Sequence, residues 1–153
     1  MMPNIALIYG KGVIGLADND ELPLPLDVKK NIEALFSVLG SLHWLPENKF
    51  DAFTALTASG PAFAFVLIES MVDAAIAMGF KSCLAQELVL EMMEGAIATI
   101  KGSEKHPAEL KWEVASPAGT TIAGLKKMEE AGVRAGVINT FLAAYERAAS
   151  ISP

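Results

Sequence analysis

The residues best placed to do chemistry lie between 116 and 125, in the stretch SPAGTTIAGL. Ser116 before a proline starts a turn, Gly119 leaves the backbone open to close approach, and two threonines precede an amphipathic helical pattern. A helix N-terminus presents free N–H groups and the positive end of its dipole, which together can bind a small carboxylate. The stretch therefore predicts either such an anion site or a plain Ser/Thr helix cap, and composition alone favours the cap.

A second stretch of small residues, DAFTALTASGP at 51–61, ends one predicted helix and begins another. Small side chains leave room there for a ligand or for a second backbone. Ser59 would need a base to act as a nucleophile, and His43 and His106 have no triad context. His106 is interpreted as a helix-entry residue and Cys83 as a core thiol. No ligand spacing resembles a zinc site, so we predict no metal centre.

The stretch GKGVIG at 10–15 matches the dinucleotide fingerprint G-x-G-x-x-G in its letters. A pyrophosphate site needs a helix that opens at the last glycine, because the helix N–H groups hold the phosphate. Here a polar segment with Pro23 and Pro25 follows instead, and prolines exclude a helix at that point. We interpret the glycines as a connection next to a strand.

The elements around these motifs divide the chain into two parts. The first part predicts a strand at 5–9, a helix at 28–39 and a strand at 41–45. Two strands do not form a stable sheet alone, so either they pair within a dimer or the rest of their sheet lies outside this chain. From residue 51 onward every pattern is helical. The predicted helices cover 61–79, 82–102 with Ser82 as cap, a short helix after Pro107, 121–131 and 134–150.

The helix at 61–79 is apolar on nearly every side and is long enough to span a bilayer. Glu69 and Asp73 lie near its middle, where each charge costs about 3 kcal/mol in a membrane. We therefore predict a helix buried in a soluble core or an interface, and no membrane partner.

Composition sets the broad class of protein. Hydrophobic residues make up 52% of the 153 residues, which excludes disorder and points to an interface for the surplus apolar surface. A net charge of −6 makes nucleic acid an unfavourable partner. A single cysteine and the absence of a signal-peptide pattern predict a cytoplasmic protein without disulfides.

Two of these stretches resemble a known family. SPAGTTIAGL and DAFTALTASGP are similar to the SPGGTTIAGL and DAVTALSGSGP signatures of pyrroline-5-carboxylate reductase. Residues 2–4, 10–12 and 104–110 resemble the family's MPN, GKG and HPAEL segments, so the resemblance covers essentially the whole chain.

The resemblance implies a mostly α fold. Residues 51–153 would form a helical-bundle dimerisation and substrate domain of the 6-phosphogluconate-dehydrogenase C-terminal-like type. Residues 1–50 would be the strand–helix–strand end of a Rossmann sheet whose larger part this chain lacks. The expected assembly is a homodimer, with oligomers of dimers left open.

The resemblance also implies a function, the reduction of 1-pyrroline-5-carboxylate to proline with NADPH or NADH, in which this chain would be inactive alone. The implied nicotinamide contacts are Pro3 and Asn4, and Thr54 would lie near the substrate's ring nitrogen. The implied contacts of the substrate carboxylate lie in one loop: Ser116, Gly119, Thr120 and Thr121.

Four departures from the family pattern bear on substrate use. Ala118 and Ala58 add a Cβ where the family has glycine, Trp112 stands where aspartate is usual, and Ile5-Ala6 replaces Thr-Pro. A Cβ at 118 or 58 would narrow the site or oppose a positive φ. Two alternatives stay open, a free-standing dimeric module that binds small carboxylates or acts as a scaffold, and an unrelated helical dimer.

Overall fold

A computed structural model describes residues 1–19 and 21–151 of the chain. The chain folds into two compact units. The first contains residues 1–63 together with the C-terminal residues from Ile138, and the second contains residues 64–137. Each unit is described by itself.

The first unit contains a parallel pair of strands joined by a helix. Strand β1 (Gly12–Asp18) pairs with β2 (Gly40–Pro46), and α1 (Leu26–Phe36) connects them. The pairing starts at Gly12 and Gly40. The two backbones approach so closely there that a Cβ at residue 40 would lie 2.0 Å from the Gly12 carbonyl oxygen, which explains the glycine at this position. The predicted helix and second strand are therefore confirmed, and His43 is a strand residue as expected.

The predicted first strand was wrong in its position. Residues Ile5–Tyr9 form a 3₁₀ helix that ends at Gly10, whose φ of 67° is left-handed, and the strand begins at Gly12. A five-residue apolar run has no period that distinguishes strand from helix. Of the glycines interpreted as a connection, Gly10 does lie in a turn, whereas Gly12 and Gly15 are strand residues. Gly15 lies beneath the ring of Phe53, where a Cβ would be 2.7 Å from a ring carbon.

One continuous helical stretch follows β2, where the sequence predicted two helices. It begins with a 3₁₀ turn at Glu47–Lys49, continues through α2 (Phe50–Phe53) and a π-helical segment at Thr54–Ser59, and becomes α3 (Gly60–Ala77). The residues 51–61 thus change the pitch of the helix without ending it. π turns inside helices are rare and are frequently found at functional sites.

The remaining helices agree with the predicted ones within two residues. They are α4 (Ser82–Ser103), α5 (Pro107–Glu113), α6 (Thr120–Glu130) and α7 (Val133–Ile151). Ser82 is not the cap of α4, because Lys81 occupies the N-cap position without a side-chain bond. His106 does cap α5, since its Nδ1 accepts a hydrogen bond from the Ala108 N–H at 3.2 Å.

The described chain has few buried apolar residues for its size. They are Ile14, Leu16, Ala55, Ala75, Ala85, Val89 and Ala148. By contrast, large apolar side chains along α3, α4 and α7 are exposed, among them Phe65 at 58%. By length and composition alone, the helical stretch at 47–77 could cross a membrane. Of its most apolar 18 residues, only 6% are buried within the chain. The expected burial of this helix therefore has to come from outside the single chain.

Candidate functional site

The residues predicted to form the site fall into two groups, one in each unit. Pro3, Asn4 and Thr54 belong to the first unit, and the loop from Ser116 to Thr121 belongs to the second.

The loop before α6 leaves the N-terminus of that helix open. Gly119 is the N-cap residue with extended backbone (φ −80°, ψ 177°), and no side chain bonds to the first-turn N–H groups within the described residues. The first helical bond runs from the Ala123 N–H to the Gly119 carbonyl at 3.4 Å. The expectation of a plain Ser/Thr cap was therefore wrong. The N–H groups that such a cap would satisfy remain available for an anion.

Ser116 and Gly119 are brought together by the turn. The Gly119 N–H donates to the Ser116 carbonyl at 3.1 Å, and a Cβ on residue 119 would lie 2.2 Å from the Ser116 Oγ. The serine hydroxyl thus occupies the space that a larger residue at 119 would need. Of the two threonines, Thr120 is exposed and Thr121 is half-buried.

Ala118 adopts a backbone conformation that favours glycine. Its φ is 57°, one of two positive values among described residues other than glycine. The left-handed conformation costs a residue with a Cβ about 1–2 kcal/mol. The Cβ at this position was expected to oppose a positive φ, and the loop adopts that φ nonetheless, at this cost in energy.

We expect Ala118→Gly to stabilise the protein. The relief of strain outweighs the extra unfolded-state entropy of glycine, about 0.4–1 kcal/mol, and leaves a net gain of about 0.5–1 kcal/mol. Thermal unfolding should show a midpoint higher by about 1–3 °C. Ala131→Gly is the matched control, because Ala131 flanks the same helix with φ −80° and should lose stability. An unchanged or lower midpoint for Ala118→Gly would contradict the claim that the positive φ of Ala118 destabilises the protein.

The side chain of Asn4 joins three segments of the first unit. Its Nδ2 donates to the Thr57 carbonyl at 3.0 Å, and its Oδ1 accepts from the Val13 N–H at 3.1 Å. Both polar atoms of Asn4 are thus engaged within the protein, while Pro3 is exposed. Sequence reasoning missed Thr57 and Val13 as the partners of Asn4.

Thr54 is the first residue of the π segment and is half-buried. Within residues 1–19 and 21–151 its hydroxyl has no hydrogen-bond partner, whereas the Thr57 hydroxyl donates to the Phe53 carbonyl at 2.8 Å. The two threonines of this segment therefore differ, and only Thr54 keeps a hydroxyl free for a ligand.

The residues that would have to hold a nicotinamide dinucleotide are only partly present. Gly10 lies in a turn and Gly12 and Gly15 lie in β1, so the glycine-rich stretch does not open a helix. The described residues thus show no cradle for the pyrophosphate. A cofactor would have to be held mainly by residues outside this part of the chain, and Pro3, predicted as a nicotinamide contact, is exposed.

A groove of about 310 Å³ lies between α5 and α6 in the second unit. Its lining residues are Lys111, Trp112, Ile122, Leu125, Lys126 and Glu129. Trp112 is 61% exposed, and the Lys111 ammonium lies 4.6 Å from its ring centre. Arg134 lies 2.5 Å from the Glu129 carboxylate, and its hydrogen bond and charge lower the pKa of Glu129. Trp112, predicted only as a departure from a family pattern, thus lines a groove that carries both lysine and glutamate side chains.

No group of three or more His, Cys, Asp or Glu side chains suited to a metal ion occurs in the described ranges. Cys83 is exposed, so its prediction as a core thiol was wrong. It lies in the first turn of α4, on a face that the single chain leaves open.

Comparisons with known proteins agree on one family. The family described as "Pyrroline-5-carboxylate reductase dimerisation" matches residues 47–151. Pyrroline-5-carboxylate reductases of Methanosarcina acetivorans and Synechocystis are 41% and 38% identical to the chain over 96% and 95% of its length. The chain spans 54% of each of these relatives, which is about half their length.

Two solved structures resemble the chain closely. A pyrroline carboxylate reductase from Plasmodium falciparum with NADP bound superposes with a TM-score of 0.89 at 31% identity, covering 96% of this chain and 59% of that one. The 1-pyrroline-5-carboxylate reductase from Streptococcus pyogenes gives 0.90 at 29% identity, covering 98% and 57%. The mostly helical fold with a short parallel sheet is therefore confirmed.

Proposed function

Because the chain belongs to the pyrroline-5-carboxylate reductase family, we propose that it supplies the subunit-association region and the carboxylate-binding loop of such a reductase. The observation that carries the proposal is the open N-terminus of α6 in the SPAGTT segment. A helix start without a side-chain cap is suited to an anion, and the carboxylate is the fixed negative charge of both 1-pyrroline-5-carboxylate and proline.

The carboxylate is held by this loop without an arginine. Backbone N–H groups from Thr120 to Ile122 point along the helix axis, and the half-buried Thr121 adds its hydroxyl. Gly119 permits the carboxylate to approach the backbone, because no Cβ stands in the way. Ser116 closes the turn behind it. The role of these residues is to bind the substrate and to orient its ring.

The reaction of the whole protein is the reduction of the ring imine to a secondary amine. NADPH or NADH, when bound, supplies the hydride to the imine carbon. In the first unit, the free Thr54 hydroxyl is suited to hydrogen-bond a ring nitrogen, and the exposed Pro3 is assigned to the nicotinamide. Since the described residues hold no pyrophosphate cradle, the chain by itself is expected to be inactive as a reductase.

The assembly is a homodimer formed by the apolar helices, in a cytoplasmic setting. α3 is apolar all round and is not buried by its own chain, so a second copy is the partner that satisfies it. Glu69 and Asp73 near the middle of the helix favour an interface over a membrane, because each charge would cost about 3 kcal/mol in a bilayer. The negative net charge of −6 opposes binding to nucleic acid.

Titration of the chain with L-proline tests the proposal. We expect saturable amide shifts in NMR spectra, centred on residues 119–122, and no reduction of 1-pyrroline-5-carboxylate by the chain with NADPH. L-Prolinamide is the matched ligand control, because it lacks the carboxylate and should give no such shifts. Shifts of equal size with both ligands, or none with proline, would contradict a carboxylate site at α6.

A further inference from the structure

We infer that Asn4 is a positioning residue, which holds the π segment at Thr54–Ser59 in place and thereby sets the position of the Thr54 hydroxyl. The inference deepens the proposed function and rests on it, since Thr54 matters only if a ligand ring reaches that hydroxyl.

The first step concerns Pro61, which follows Thr57 by four residues. In an α-helix the N–H of residue 61 would donate to the Thr57 carbonyl, but proline has no N–H. The proline ring also crowds the carbonyl four residues before it. Pro61 therefore gives a local reason why the helix widens into a π segment at this point, since it removes the donor that an α-helix would supply to the Thr57 carbonyl.

The second step concerns the donor that replaces the missing N–H. The Asn4 Nδ2 donates to the Thr57 carbonyl at 3.0 Å, from a loop 53 residues earlier in the chain. The Val13 N–H donates to the Oδ1 of the same side chain at 3.1 Å, and this second hydrogen bond fixes the orientation of the Asn4 amide. A residue with only an acceptor or no polar group at position 4 could not make both bonds.

The third step concerns the ends of the segment, which are fixed without Asn4. At one end the Phe53 ring covers Gly15 of β1, with ring carbons within 3.0 Å of an added Cβ. At the other end Gly60 lies against Phe141, which also meets Phe63 edge to face at 5.2 Å between ring centres. Loss of Asn4 would therefore release the middle of the segment and leave its anchors in place, so the expected effect is on position rather than on folding.

Proline affinity of four proteins tests the inference: the wild type, Asn4→Ala, Thr54→Ala and the double variant. We expect each single variant to weaken binding about tenfold, and the double variant to bind as weakly as Thr54→Ala alone, because Asn4 acts through Thr54. Additive losses, or an Asn4→Ala affinity equal to that of the wild type, would overturn the inference.

Further variants separate position from folding and from the proposed function. Asn4→Asp keeps the volume and the Val13 bond but removes the donor to Thr57, so it should weaken proline binding in the wild type and not in Thr54→Ala. Ser37→Ala is the matched control, because it removes another side-chain bond to a carbonyl, 2.9 Å long, at an exposed site. If the wild type binds no proline, the proposed function itself fails. If Thr121→Ala weakens binding and the Asn4 variants do not, only the positioning role fails.

Discussion

Replacing Phe65 with aspartate is expected to convert the proposed dimer into a monomer with the single-chain mass of 16.2 kDa. Phe65 is 58% exposed in the single chain and lies on α3, where Glu69, Ser70 and Asp73 are the only polar side chains. Burial of a phenylalanine side chain contributes about 1.5–3 kcal/mol, and a dimer contains two copies. An unpaired buried carboxylate adds a further cost, so the dissociation constant should rise at least about a thousandfold.

Sedimentation velocity across micromolar concentrations measures this change directly. Leu26→Asp is the matched control, because Leu26 is 68% exposed and is the first residue of α1, where a negative charge is favourable. The control should remain dimeric. A wild-type chain that is monomeric at these concentrations, or a dimeric Phe65→Asp, would contradict the association through α3.

The helices were predicted well because their positions depend on local sequence signals. Residues 61–79 were predicted as a helix because they are apolar except at Glu69, Ser70 and Asp73 and have Pro61 and Gly79 at their ends, and the structure ends α3 at Ala77. Helix limits depend on local signals such as Gly79, whose φ is 101°. The burial of α3 depends on a second surface, which the pattern implies but the single chain does not contain. The helix itself was therefore predictable from the sequence. Of its packing, the sequence predicted only that the helix must be buried, and not which surface buries it.

The errors came from contacts distant in sequence. Gly12 and Gly15 resembled a loop because glycine is rare in strands. A Cβ on Gly12 would lie within 3.0 Å of Leu7 and the Leu39 carbonyl oxygen, and a Cβ on Gly15 would meet the ring of Phe53. The role of Asn4 depends on Thr57, 53 residues away, and no period in the sequence links them. Pro61 was the one available signal, because a proline inside a helix leaves a carbonyl four residues earlier without its donor.

The sequence predicted which segment contains the candidate site, but not how that segment is arranged at the start of α6. The residues 116–121 were identified from their types, while composition favoured a Ser/Thr cap that the structure does not contain. The reason is the turn itself, since the Ser116 hydroxyl is directed at Gly119, and Gly119 rather than a threonine occupies the N-cap position. The anion site therefore depends on the absence of a side chain at Gly119.

Gly119→Ala is accordingly expected to weaken L-proline binding about 10- to 100-fold. Its Cβ would lie 2.2 Å from the Ser116 Oγ, so the serine or the first turn must move, and a hydrogen bond to a charged ligand is worth about 1.5–3 kcal/mol. Gly124→Ala is the matched control within the same helix, because no atom lies within 4 Å of its added Cβ.

Isothermal titration with L-proline, together with thermal unfolding, distinguishes the two variants. Gly124→Ala should bind as the wild type does and unfold at a higher temperature, since alanine is favoured over glycine within a helix by about 1 kcal/mol. Gly119→Ala should lose affinity while its unfolding remains cooperative, because the Ser116 side chain can rotate away at an exposed site. Equal proline affinity in the two variants would show that the ligand is held elsewhere, because the two substitutions differ only in whether the new Cβ enters the turn before α6.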